Sequence, residues 1–179
     1  TNKMKSISKV LVVITVLLSS INGFAKIKPA NEVAQNVSQL TTIFDNYFSI
    51  KDALISSDAG MAATKAKNMA TAIKAVDMGK LSTEEHNVWM KVAKDLTGSA
   101  EAISKSKDVS KQREAFNLLS KNMYELAKAS KQAVPVYYQY CPMFNNGKGA
   151  NWLSKESAIK NPYYGNKMLT CGSVTETIK

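Results

Sequence analysis

Arginine and histidine are almost missing from this 179-residue chain: Arg113 is its one arginine and His86 its one histidine. Cysteine occurs twice, at Cys141 and Cys171, and proline four times. Each scarcity removes a class of function. The basic excess lies in lysines set singly along the chain, not in the clustered arginine with interleaved aromatics of a nucleic-acid surface, so no nucleic-acid partner is expected. Two cysteines are too few for the usual four-cysteine iron–sulfur ligation. One histidine rules out HExxH, and neither GxSxG nor a phosphate-cradling glycine loop is present. Cys141 or Cys171 could be paired with His86 as nucleophile and base. No third orienting residue or oxyanion feature accompanies that pair, and the chain is read as a non-enzyme. Glu84 and Glu85 are read as first-turn charges favoured by a helix dipole.

Long apolar runs are scarce too. The run Val10 to Leu18 is about nine residues, well short of the ~20 that a spanning helix needs. Lys5 and Lys9 precede it, and Gly23 and Ala25 occupy the −3 and −1 positions of a cleavage site. That layout predicts a secretory signal peptide over 1–25, with Met4 as its start and 1–3 as an N-terminal extension. Cleavage near Ala25 would leave a periplasmic or secreted chain with no stable membrane insertion. The formal charge of +10 includes Lys3, Lys5 and Lys9, which would leave with the leader. The remaining ~154 residues suffice for one compact domain.

From Asn31 to Lys131 the chain is free of proline and apolar residues recur at helical spacing. One stripe runs Val33, Val37, Leu40, Phe44, Tyr47, Leu54, and a second Ala62, Ala66, Met69, Ile73, Val76. Gly79 is placed to end the second helix. Ser82 and Glu85 have capping-box spacing ahead of Val88, Val92, Leu96 and Ile103. Asp108 or Ser106 then caps a fourth helix carrying Val109, Gln112, Phe116, Leu119, Met123 and Leu126. The fold class expected is mainly α: an antiparallel up-down four-helix bundle over 26–134. Met61, Met69 and Met123 are read as packing residues, since methionine fills irregular gaps.

After Pro135 the pattern changes. "VPVYYQYCPM" is β-like, "NNGKGAN" is turn-forming, "WLSKESAIK" reads as a short helix and "MLTCGSVTETI" as a strand. Residues 135–179 are expected to pack over the bundle's end as a small loop/β cap of the same domain, docked by Trp152, Tyr163 and Tyr164. In an up-down bundle the second helix ends, the third begins and the fourth finishes at one end. Met78, His86 and Met90 would then lie where "YCPM" emerges.

The tail's sulfurs suggest two chemistries. Thiolates and thioethers are soft donors of the kind Cu(I) and Ag(I) prefer. Cys141 with Met143, and Met168 with Cys171, bring four such sulfurs, and His86 could add an imidazole, with Met78 and Met90 less strongly indicated. Structural zinc sites use cysteine and histidine without methionine. Alternatively, Cys141 and Cys171 form a disulfide, as paired cysteines of exported proteins often do. Closing a loop of about 30 residues contributes roughly 3–4 kcal/mol in the chain-entropy picture. Spacing alone leaves both open.

The stretches "YFSIKDALISSD", "EHNVWM", "QREAFNLLSKNMYEL", "YYQYCPM", "GANWLSKE" and "IKNPYYGNKMLTCG" resemble a domain-of-unknown-function family of Gram-negative periplasmic proteins. The resemblance runs from about Phe44 to the C-terminus. Similar domains occur fused to periplasmic adaptor proteins of copper/silver efflux systems. It implies heavy-metal work, with Cu(I) or Ag(I) held by Cys141, Met143, Met168, Cys171 and His86, and a heavy-metal efflux complex or another envelope protein as partner. The metal-free alternative is a disulfide-stapled helical interaction module of the cell envelope.

Overall fold

The computed structural model describes residues 39–179. The expected leader, its cleavage point, Val33 and Val37 lie outside the described residues. Among the described residues, four helices are followed by three strands: α1 Gln39–Ile55, α2 Ala59–Lys74, α3 Thr83–Lys105, α4 Val109–Ala129, β1 Val136–Cys141, β2 Ala150–Ser154 and β3 Ser173–Ile178. This is the expected helical bundle with a small antiparallel sheet.

Short polar side chains set the helix boundaries by satisfying orphan N–H groups. The Asp58 carboxylate accepts the Met61 N–H at 2.8 Å, and Asp108, rather than Ser106, accepts the Ser110 N–H at 2.8 Å. Ser82 and Glu85 form the reciprocal capping box at the start of α3. Gly79 does not end α2, which stops at Lys74; it lies in a 3-10 turn over Met78–Lys80, where Asp77 caps its N–H.

Side chains also tie the helix ends together. At one end Gln39, opening α1, both accepts the Asp77 N–H at 2.8 Å and donates to its carbonyl at 3.1 Å. At the other, the buried Gln112 amide donates to the carbonyls of Ala59, Ile103 and Ser106. Between them Leu40, Ile43, Leu54, Ala62, Ala66, Met69, Leu96, Ile103, Leu119 and Met123 form the core. Met61 departs from its expected packing role: it is 47% exposed, because Ala62 takes the inward position in that turn.

Nine of the 17 residues of α1 are buried, wider than the single stripe of a helix packed on one side. That extra face explains where the sheet goes. It does not cover the bundle's end, as the sequence suggested, but lies along the side formed by α1 and α4. The Leu153 N–H donates to the Tyr47 hydroxyl at 2.9 Å, and Tyr47 shares a 2.8 Å hydrogen bond with Ser120. Tyr47 and Phe116 stack at 5.2 Å, Phe116 meets Tyr163 at 5.8 Å, and Tyr138 stacks on Tyr124 at 3.9 Å.

The strand order is β2-β1-β3, with both pairings antiparallel. The segment expected as a short helix opens instead as β2, whose Trp152 and Leu153 are fully buried. Beyond it the Gln139 amide donates to the carbonyls of Glu156, Ser157 and Ala158, which a helix would have used internally.

Candidate functional site

β1 begins near the C-terminal end of α4 and runs back along the bundle's side, ending at Cys141. That side chain is fully buried in the cluster that contains Trp152 and Tyr163. Cys171 arrives from the opposite direction, in a turn where its N–H donates to the Met168 carbonyl at 3.1 Å. The two Sγ atoms lie 3.4 Å apart, both as free thiols. Gly172 makes this approach possible. It sits at φ +142°, and a Cβ there would stand 2.7 Å from the Tyr140 carbonyl oxygen and 3.0 Å from Cη2 of Trp152. Only glycine lets the chain pass this close to β1.

The Cys171 thiol is pushed above its ordinary pKa. The main cause is its hydrogen bond with Cys141, followed by burial and the charge of Cys141. Two negative charges on sulfurs this close would repel each other, and a cation held between them would offset that repulsion. A soft monovalent cation offers two sulfur bonds in return for the displaced protons.

The other sequence-predicted ligands are distributed unevenly. The Met168 carbonyl accepts the Cys171 N–H, which holds the Met168 backbone one turn before Cys171. Met143 follows Cys141 by two residues, with its side chain 54% exposed. It lines a cavity of about 530 Å³ together with Arg113, Asn117, Phe144, Tyr164 and Lys167. The Met143 carbonyl accepts the Tyr164 hydroxyl at 3.0 Å, and Tyr163 lines the same cavity while packing in the cluster with Cys141.

His86, Met78 and Met90 are not brought to the thiols. Met78 follows Asp77, which is clasped by Gln39 at the start of α1, and the His86 N–H bonds Ser82 at the start of α3. The loop carrying Cys171 lies at the other end of α1: Arg113 donates to Leu54 and to Pro162, and the Cα of Gly165 sits against the Ile55 carbonyl. A helix the length of α1 spans about 25 Å. The expectation failed because the tail does start at the His86 end, but β1 then carries Cys141 away from it. Among the described residues, no group of three or more His, Cys, Asp or Glu side chains is placed to hold a metal ion.

Sequence reasoning missed Asn161, Gln139 and Gly172, which shape the segment around the cysteines. "NP" at 161–162 and "CG" at 171–172 were the available signals, since each marks a backbone that departs from regular structure. No helix among the described residues is long and apolar enough to cross a membrane.

A family model described as a protein of unknown function (DUF3347) matches residues 43–133. The match begins within α1, runs through α4 and stops just before β1, so it does not extend over the cysteines. No curated protein and no solved structure matches the chain. With half of its length under that model, the chain belongs to the DUF3347 family.

Proposed function

We propose that this protein is a periplasmic soft-metal-binding module that takes Cu(I) or Ag(I) between Cys141 and Cys171. It would buffer the metal or pass it on as a metallochaperone in heavy-metal efflux or homeostasis. The observation that carries the reading is the 3.4 Å approach of two free thiols, one fully buried and one partly open. Sulfur donors in apolar surroundings suit a soft monovalent ion and offer little to hard, oxygen-seeking cations. Met168 and Met143 flank the pair in sequence and are the thioethers available to it. The partly open Cys171 is the natural entry ligand, with Cys141 closing the site behind it. His86, Met78 and Met90 have no part in this site.

A second reading rests on the same contact. An oxidised Cys141–Cys171 bond would staple β1 to the turn before β3 and make the protein a metal-free helical interaction module of the cell envelope. A thiol count and a Cu(I) competition titration separate the two. The metal reading expects two titratable thiols after gentle reduction, about one tightly bound Cu(I) per chain, and loss of that binding in Cys141→Ser and Cys171→Ser. Blocked thiols, with no tight Cu(I) binding even after reduction, would overturn it in favour of the staple.

A further inference from the structure

We infer that Asn161 is the positioning residue of the thiol pair. It holds Cys171 against Cys141 from a fully buried place in the loop between β2 and β3. This rests on the reading that the two cysteines work as a pair, whether on a metal or with each other.

Asn161 is completely buried, and every polar group it has is engaged within the loop. Its N–H donates to the Leu169 carbonyl at 2.8 Å, and its own carbonyl accepts the Gly165 N–H at 2.9 Å. Its side-chain Oδ1 accepts the Tyr163 N–H at 2.8 Å, while Nδ2 donates to the Cys171 carbonyl at 2.9 Å. One side chain thus clamps two points eight residues apart, Tyr163 and Cys171. One is Tyr163, anchored in the aromatic core by its ring contacts with Phe116 and Trp152 and by a 2.6 Å bond from its hydroxyl to the Asn151 carbonyl. The other is the peptide of Cys171. Residues 165–172 hold no regular element beyond a 3-10 turn at Gly165–Lys167, so this amide is a principal constraint on where the Cys171 Sγ stands. Buried polar groups must find partners, and an asparagine offering both a donor and an acceptor in one plane can serve both peptides at once. Aspartate has the same shape and keeps the acceptor for Tyr163, but has only an acceptor to place against the Cys171 carbonyl.

A side chain that holds the backbone of one cysteine in this way sets the effective concentration of its sulfur beside the other. The test is the thiol–disulfide equilibrium of the full chain with glutathione. The protein dithiol forms its S–S bond as the S–S bond of oxidised glutathione breaks, and two reduced glutathione molecules carry away both protons and both electrons. Asn161→Asp and Asn161→Ala are compared with Met69→Ala, which opens a cavity in α2 away from the tail. Both Asn161 variants should shift the equilibrium toward the dithiol by about tenfold, a change of about 30 mV, while Met69→Ala stays at the wild-type value. Ag(I) affinity, measured alongside, should fall about tenfold in the same two variants. A wild-type chain that binds no Ag(I) or Cu(I) would end the metal reading while leaving the glutathione result to judge Asn161. Folded Asn161 variants with the wild-type equilibrium, or an equal shift in Met69→Ala, would overturn the inference. Failure of both Asn161 variants to fold would also overturn it, since the residue would then serve folding rather than thiol placement.

Discussion

Along α1 to α4 the buried side chains are mostly apolar and recur by threes and fours, whereas between Cys141 and Cys171 the chain is gripped by side chains that bond the backbone. Gln139 holds three successive carbonyls, Asn161 clamps two peptides, and Tyr163 reaches the Asn151 carbonyl. The helical body rests mainly on hydrophobic burial along its stripes, with polar side chains such as Gln39 and Gln112 at the helix ends. The segment between the cysteines is largely irregular, and its buried backbone groups require specific partners. Family membership follows the first region, as the match ends at residue 133, and the candidate chemistry lies in the second. A tail held by individual hydrogen bonds can place two thiols with an accuracy that a greasy helix face does not provide.

The strongest way to break this contrast is to cut the link between the two regions. Phe116 lies between the rings of Tyr47 in the body and Tyr163 in the tail. Phe116→Ala should cost about 3–5 kcal/mol. Helix signal and thiol exposure should be lost together in one urea transition; exposure of the thiols well before the helices melt would show that the tail folds separately. Tyr47→Phe should cost about 1–3 kcal/mol, because it leaves the Leu153 N–H without its acceptor. A urea midpoint unchanged from wild type would mean that the sheet does not depend on that bond.

Alkaline pH attacks the same seam. Burial raises the hydroxyls of Tyr47 and Tyr163 far above the ordinary value of 10.0, and burial with the charges of Tyr124, Glu125 and Glu176 raises Tyr138 to about 12. Folded-state values above the unfolded one stabilise the protein fully below pH 10, and that contribution is lost as pH rises through 12. Stability measured by urea should be flat up to about pH 9 and fall steeply above pH 10. Stability that holds to pH 12 would contradict the buried placement of these rings. The smallest effect belongs to the body alone: Ser82→Ala removes the cap of α3 and should cost about 1 kcal/mol, with thiol reactivity unchanged.

The two regions also differ in how far the sequence reveals them. Helix starts were legible because Ser82, Glu85 and Asp108 act within a few residues of themselves, and the core stripe because Leu96, Phe116 and Met123 repeat at the helical period. Trp89 and the wide face of α1 were not read as such, and that face draws the sheet to the bundle's side instead of its end. Consequently the sequence placed His86 beside the cysteines when it lies at the other end of α1. "WLSKESAIK" has helical spacing, yet strand pairing of Trp152 and Leu153 with β1 wins over it. The nearness of Cys141 to Cys171 depends on Gly172 and on the clamp of Asn161, and neither is visible in a spacing of thirty residues.

In the proposed function the tail's sulfurs hold the metal without the histidine. X-ray absorption at the copper edge of the reduced, Cu(I)-loaded chain tests it most directly. The expected spectrum shows copper bound by sulfur alone with no imidazole contribution, unchanged in His86→Ala and lost with the metal in Cys141→Ser. An imidazole or oxygen-dominated shell, or one that disappears in His86→Ala, would contradict it.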